Sequence, residues 1–389
     1  GIKVGVGCSA ALAAVIGLGL SAFAAASTPH VFRNFRVAVL QTNLPQDNKL
    51  GWPLAERVAT HRHWLKLSEE AAAQTRRPQL IVWPETMFPG FALNPEAIEA
   101  QRRAGLNYTA EAAGTSGPLP TTWFADTLID VQTPSKIPFL IGSIAADGLR
   151  FTAEGDGVRS TSDARTNSVL LLTDGRVQSE RYDKVDLMAF GEYIPVLYRW
   201  PGAQTWLTGL GAKGMAFDLA FGTSRTIFNV EGVRIGTPIC FEVCHEAACR
   251  AFTTTADGHR RADLLVNITN DGWFYGSTFN RQMHLLQARW RCAEIATPMV
   301  RAANTGISCV IDAAGKVLTP SLDGGKPLDQ TEGVLTADVP LVDPAAPPTF
   351  YARIGHHLNT LIAAVGAVLV ALALLPRRKA TEPASPLAT

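Results

Sequence analysis

The feature that most constrains this chain is a series of short, nearly unbroken apolar runs. They are FRVAVLQTN at residues 35–43, PQLIVWPE at 78–85, PFLIGSI at 138–144, NSVLLLT at 167–173, RTIFNV at 225–230, VRIGTPICFE at 233–242 and ADLLVNITND at 262–271. All are rich in Val, Ile and Leu, and several do not alternate apolar with polar, so they read as strands covered on both faces. Two stretches carry helical periodicity, residues 54–73 and residues 279–297, the second ending before Pro298. Strands alternating with helices predict an α/β sheet domain, in which chemistry collects at strand ends and in the loops after them. Residues 94–121 and 145–166, rich in Gly, Ala, Ser and Thr, read as surface loops.

The two ends differ from this body. Residues 4–26 hold no charged side chain, enough to cross a bilayer at about 20 residues per span. A cleaved leader is the competing reading, because Lys3 precedes the run and Ala24, Ala25 and Ala26 resemble a cleavage site. The run exceeds the usual signal core of about 7 to 15 residues, which favours an anchor. Residues 358–375 form a second apolar stretch, followed by Arg377, Arg378 and Lys379, cations that hold that end in the cytoplasm. With Lys3 on the same side, residues from about 30 to 355 lie across the membrane, in a bacterium the periplasm. The expected division is a membrane segment at 1–29, a catalytic domain at 30–350, a membrane helix with its basic flank at 351–379 and a disordered tail at 380–389. The chain begins at Gly1 rather than Met, which reads as a fragment or a processed form.

Charge says little about partners: 35 Lys and Arg against 34 Asp and Glu give a net +1 and no reason to expect nucleic acid. The cysteines Cys8, Cys240, Cys244, Cys249, Cys292 and Cys309 are scattered through a long chain and do not form a disulfide framework.

Three strand ends carry candidate chemistry. Glu85 closes IVWPE; it either marks the return to solvent or, held against an apolar wall by Trp83 and Pro84, has its pKa raised towards the range of a general base. Lys184 follows LLLTDGRVQSERYD and is either solvated, paired with Asp183 or Asp186, or part of the shaped loop that continues as FGEYIP at 190–195. Cys240 closes VRIGTPIC and is open to four readings: a buried apolar thiol, half of a disulfide, a metal ligand or a nucleophile. The spacing from Cys240 to Cys244 to Cys249 contains no close CxxC pair, so zinc fits poorly, and no metal or cofactor is expected. Taken together, a base, a cation and a thiol supply what thiol-mediated acyl transfer needs.

Glu85, Lys184 and Cys240, in that order, resemble the Glu-Lys-Cys triad of the nitrilase, or carbon-nitrogen hydrolase, superfamily. The stretches QTNLPQ at 41–46, FGEYIP at 190–195, TNDGWF at 269–274, RAANTGI at 301–307 and TFYAR at 349–353 are similar to its membrane branch, the apolipoprotein N-acyltransferases, over residues from about 33 to 380. That resemblance implies a nitrilase-like α-β-β-α sandwich flanked by transmembrane helices, with residues 1–29 as the remnant of a larger membrane domain. It implies an inner-membrane, monomeric enzyme with a membrane phospholipid as acyl donor and a diacylglyceryl apolipoprotein as acceptor. Glu85 would be the base, Cys240 the nucleophile, and Lys184 with a backbone N–H near Phe241 the oxyanion site. Glu192 and Glu242 match further acidic positions of the family and are expected to orient Lys184 or Glu85 and to support the nucleophile's loop, respectively. Trp52, Trp83 and Trp273 are candidate substrate-binding aromatics. Phe241 departs from the family's usual Tyr and removes a hydroxyl. A membrane-tethered amidase using the same triad, and a non-catalytic scaffold of the same fold, are the alternatives.

Overall fold

In the computed structural model the described residues are 31–44, 52–154, 157–189, 191–193, 219–255, 257–274, 277–318 and 328–374. The expected span at 4–26, the QTNLPQ stretch beyond Leu44, the FGEYIP stretch beyond Tyr193 and the C-terminal tail lie outside them.

The apolar runs become two six-stranded sheets. The first has the order β12 (Gly333–Val342), β1 (Val31–Gln41), β2 (Leu80–Val82), β3 (Phe139–Asp147), β4 (Ala164–Thr173) and β5 (Arg176–Asp183). β1, β2 and β3 are mutually parallel, and the remaining neighbours antiparallel. The second runs in chain order: β6 (Ile227–Val230), β7 (Val233–Gly236), β8 (Leu264–Thr269), β9 (Met299–Ala303), β10 (Ile307–Ile311) and β11 (Leu328–Asp329). Here β7, β8 and β9 are the parallel core.

Strand periodicity sorts the side chains into layers. Along β1, Phe35, Val37 and Val39 join Val82, Leu140 and Val169 in a core that continues into Phe228, Ile235 and Val300 of the second sheet. Ala38 and Leu40 point the other way, into a separate core with Ile81, Trp83 and Ile141. That second core is closed by α1 (Leu54–Ala72) and α3 (Trp123–Ser135), through Val58, Trp64, Phe124 and Leu128. On the far side, α4 (Glu246–Thr253) and α5 (Thr278–Ile295) cover the second sheet through Phe252, Leu285 and Cys292. The order is therefore helix, sheet, sheet, helix, as the resemblance implies. The alternation of two core faces on each strand explains why the runs lack polar positions.

Two stretches read as loops are ordered. Residues 94–121 contain α2 (Pro95–Ala104), with Pro95 at its first turn and Gly105 at φ 62° after its end, the usual asymmetry of helix punctuation. In residues 145–166, β3 extends to Asp147, and Arg150–Glu154 pairs with Gly157–Thr161 as a hairpin whose Phe151 packs on Ala92 and Leu149.

The last helix, α6, runs Phe350–Leu374. Among the described residues no helix is long and apolar enough to cross a membrane.

Candidate active site

Three strand ends meet between the sheets. Glu85 follows β2 on a chain that passes directly over β3: a Cβ at Gly142 would stand 2.2 Å from the Pro84 carbonyl oxygen and 2.8 Å from Glu85 Cα. Only glycine allows that crossing. Lys184 follows β5, its N–H donating to the Asn167 carbonyl at 2.8 Å while its own carbonyl accepts from Gly222 N–H at 2.8 Å. Cys240 opens a short 3-10 turn, Cys240–Cys244, directly after Ile239, which bridges Ile268 of β8. Its φ is 51°, a left-handed conformation that costs a non-glycine residue about 1–3 kcal/mol and has to be held by its surroundings.

Glu242 does the holding. Fully buried, it accepts from Ile239 N–H at 2.8 Å at the start of the Cys240 turn and, through its other oxygen, from Val185 N–H at 3.0 Å, Asp186 N–H at 2.9 Å and Tyr182 O–H at 2.7 Å. One carboxylate thus ties the loop after Lys184 to the turn that presents Cys240.

Glu85 and Lys184 are 5% and 1% exposed, with Lys184 Nζ 3.5 Å from Glu85 Oε1 and 2.8 Å from Glu192 Oε2. Asn167 Nδ2 donates to both acids, 2.8 Å from Glu85 Oε1 and 3.0 Å from Glu192 Oε1. Asn270 N–H donates to Glu85 Oε2 at 3.1 Å. Burial pushes the Glu85 carboxyl above its ordinary range; Lys184 pulls it back and Glu192 pushes it further up. Burial opposes the charge on Lys184, but Glu85 and Glu192 outweigh it and hold the ammonium protonated. The Cys240 thiol is pushed up by burial and by Glu85, and eased by Lys184. The Cys240 thiol in turn eases the Glu85 carboxyl slightly back down. Burial thus favours the neutral thiol of Cys240 and makes Glu85 a stronger base than a solvated carboxylate.

Of the other expected residues, Phe241 is partly exposed next to Cys240, its ring centroid 5.6 Å from His245 and 6.4 Å from His284. Trp273 is 40% exposed on the turn Asp271–Phe274, just past Asn270. Trp52 is partly buried at the root of α1. Trp83 belongs elsewhere: it is fully buried, stacked on Trp64 at 5.0 Å, and its Nε1 donates to Ser68 Oγ at 3.0 Å. Being one residue on from Val82, it falls on the helix face of the sheet and has no surface to offer a ligand. The five described cysteines are free thiols. Among the described residues no three His, Cys, Asp or Glu side chains are grouped to hold a metal.

A buried network was not assigned from the sequence. Arg301 donates to Asp271 Oδ2 at 2.6 Å, Asn267 Oδ1 at 2.9 Å and the Ile307 carbonyl at 3.1 Å, and His284 Nδ1 lies 2.9 Å from Asp271 Oδ1. Asn304 draws the first strand's end into the same region: Thr42 Oγ1 and Leu44 N–H donate to its Oδ1, each at 3.0 Å, and its Nδ2 donates to Asn270 Oδ1 at 3.2 Å. The QTN, TND and RAANTG stretches are therefore neighbours behind Glu85, a proximity that no spacing in the chain reveals.

An α-β-β-α sandwich that brings a Glu, a Lys and a Cys together at three strand ends defines a class of thiol enzyme. Residues 36–346 match the carbon-nitrogen hydrolase family, and the chain belongs to that family. It is 32% identical over 349 residues to the apolipoprotein N-acyltransferase of Bradyrhizobium diazoefficiens, covering 87% of this chain and 52% of that one. It is 31% identical over 345 residues to the protein of the same name in Geobacter metallireducens, covering 89% and 54%. The chain thus spans about half the length of the curated relatives it matches. A crystal structure of an amidase from Nesterenkonia sp. is similar at 18% identity and a TM-score of 0.46, over 81% of this chain and 94% of that one.

Proposed function

We propose that this chain carries the catalytic domain of an apolipoprotein N-acyltransferase, moving a fatty acyl chain from a membrane phospholipid to the N-terminal amine of a diacylglyceryl-cysteine apolipoprotein. The observation that supports it most is the convergence of Glu85, Lys184 and Cys240, with Lys184 Nζ 3.5 Å from Glu85 Oε1, in a chain most of whose length aligns with enzymes of that name.

In this reading Glu85 takes the thiol proton and the Cys240 sulfur attacks the phospholipid's ester carbonyl. The oxyanion is met by the Lys184 ammonium and the Phe241 N–H. Collapse breaks the C–O bond, the departing lysophospholipid oxygen takes the proton from Glu85, and a thioester remains. The acceptor's amine then attacks the thioester while Glu85 removes its proton; the C–S bond breaks and the thiolate is reprotonated. Glu192 fixes Lys184, and Glu242 fixes the turn. Phe241 offers its ring without a hydroxyl, and Trp52 and Trp273 line the way in. No cofactor enters any step.

Both substrates are lipids, and the reading places residues 4–26 and 358–375 across the bacterial inner membrane, with further membrane helices in the whole protein and the catalytic domain of a monomer in the periplasm. The exposed side chains Trp273, Phe279, Met283 and Trp290 support this. Phe279, Met283 and Trp290 lie along α5, and the root of α6 is bound to the other end of that helix through Thr349 Oγ1, which donates to the Glu294 carbonyl.

The test is a product assay in membranes holding the full chain. A lipopeptide with a free N-terminal diacylglyceryl-cysteine should gain one acyl chain by mass, and the same peptide with a blocked amine should not. Release of free fatty acid or turnover of a small amide, with no gain on the peptide, would assign the site to hydrolysis instead.

A further inference from the structure

The triad leaves one buried hydroxyl beside the nucleophile without a task. β8 ends in Asn267, Ile268 and Thr269, and the parallel bridge between Ile239 and Ile268 sets Cys240 alongside Thr269. The Thr269 hydroxyl stands close enough to the Cys240 thiol to ease it back down, against burial and Glu85. Thr269 is fully buried, and its Oγ1 lies 3.0 Å from Asp271 Oδ1. A carboxylate only accepts, so the single hydroxyl proton rests on Asp271.

Ionisation of the sulfur changes this balance. A thiolate is a second anionic acceptor within reach of the same O–H. Asp271 does not depend on that donor: its Oδ2 accepts from Arg301 Nη2 at 2.6 Å, and His284 Nδ1, itself 3.0 Å from that Nη2, lies 2.9 Å from its Oδ1. Arg301 is fully buried and is itself pinned by Asn267 and the Ile307 carbonyl. Releasing the threonine hydrogen therefore leaves no buried charge unpaired, which is the usual cost of breaking such a contact. The branched side chain of Thr269 fixes where the oxygen sits, so only the O–H direction has to change.

We infer that Thr269 is a two-position donor: its hydroxyl hydrogen rests on Asp271 while Cys240 is a thiol and turns to the sulfur whenever the thiolate forms. No proton is transferred, since the O–H bond is kept and only its acceptor changes. The thiolate forms twice per cycle, before attack on the ester and on collapse of the second intermediate, so the device serves both halves of the reaction. This inference rests on Cys240 being the nucleophile, and it assigns the Arg301–Asp271–His284 cluster as the clamp that keeps the resting position available. The charged groups that bear on the sulfur besides these are Glu85, Lys184 and Glu192.

The test compares Thr269→Val, which keeps the shape and loses the donor, with Thr269→Ser, which keeps the donor. The rate of Cys240 carboxamidomethylation by iodoacetamide is followed against pH by peptide mapping, on the full chain, with thermal unfolding recorded for each variant. Thr269→Val should alkylate Cys240 about tenfold more slowly at neutral pH, its profile displaced to higher pH, and Thr269→Ser should stay within about twofold of wild type. A Thr269→Val profile that superimposes on wild type, or a Thr269→Ser rate as low as that of Thr269→Val, would overturn the inference, the latter by assigning the effect to the lost methyl. Should Thr269→Val not fold, Thr269→Ala against Thr269→Ser gives the same contrast. Alkylation needs no lipid, so the two proposals fail separately. A donor effect without an acyl-enzyme from phospholipid breaks the transferase reading alone, and an acyl-enzyme with donor-independent alkylation breaks this inference alone.

Discussion

His61 and Lys184 are both buried titratable groups, and they have opposite fates. His61 sits in the helix-side layer with Trp83, Phe88, Trp123 and Phe124 around its ring at centroid distances of 6.3, 6.1, 5.4 and 5.2 Å. Burial there lowers its pKa to about 3, against a weaker opposing pull from the Phe124 backbone, so it is neutral. Lys184 is equally enclosed but keeps its charge, because Glu85 and Glu192 face it. Burial alone discharges a side chain; a charge survives inside only where opposite charges are built around it. The same groups bear on the thiol: burial first, and then Glu85, push the Cys240 pKa up, and Lys184 eases it back.

The strongest way to break this contrast is Lys184→Met. It removes the cation between Glu85 and Glu192 and should cost about 3–5 kcal/mol of stability by chemical denaturation, with acyl-enzyme formation slowed at least 10²-fold, about what losing one oxyanion donor costs. Adding Glu192→Gln should restore part of the stability but none of the rate; restored activity would show that Lys184 serves packing only.

The opposite region responds to pH. The folded pKa of His61 lies below its unfolded value of 6.5, so its contribution is fully present above pH 6.5 and is lost as pH falls towards 3, by up to roughly 4–5 kcal/mol. His61→Phe should flatten that limb in urea titrations at stepped pH. An unchanged limb would place the acid sensitivity elsewhere.

Smaller effects sharpen the picture. Glu242→Gln keeps the shape but turns acceptors into donors facing the Val185, Asp186 and Ile239 N–H groups, and should lower stability by about 1–3 kcal/mol while slowing Cys240 alkylation. Trp273→Ala, on an exposed turn, should leave stability within about 0.5 kcal/mol and raise the KM for phospholipid more than it lowers kcat.

Much of the fold was legible because the strands are covered on both faces, so IVWPE and VRIGTPIC announce themselves as apolar runs closing on a Glu and a Cys, while the strand-turn-strand pattern LLLTDGRVQSERY leads into Asp183 and Lys184. Phe151 was not legible: its hairpin depends on contacts with Ala92 and Leu149, which no local pattern encodes. Trp83 misled for a related reason. Its place near Glu85 in the chain suggested a shared surface, whereas Trp83 continues the helix-side face of Ile81 and the chain has left β2 and crossed over Gly142 by the time it reaches Glu85. The Asn267–Asp271–Arg301 network escaped because its members come from separate strands and meet only through β8 and β9 being paired, Asn267 opposite Arg301. The stretches containing them were recognisable as motifs, but the hydrogen bonds that give them a task are tertiary.

The central claim, that three strand ends form one acyl-transfer site, is tested most directly by trapping. The full chain in phospholipid membranes, without an acceptor, is digested and mapped by mass spectrometry before and after neutral hydroxylamine. One fatty acyl group on the Cys240 peptide, removed by hydroxylamine and absent in Glu85→Gln and Cys240→Ala, is the expected result. An unmodified Cys240 in membranes that support transfer to the lipopeptide, or an acyl group that persists in Cys240→Ala, would contradict it.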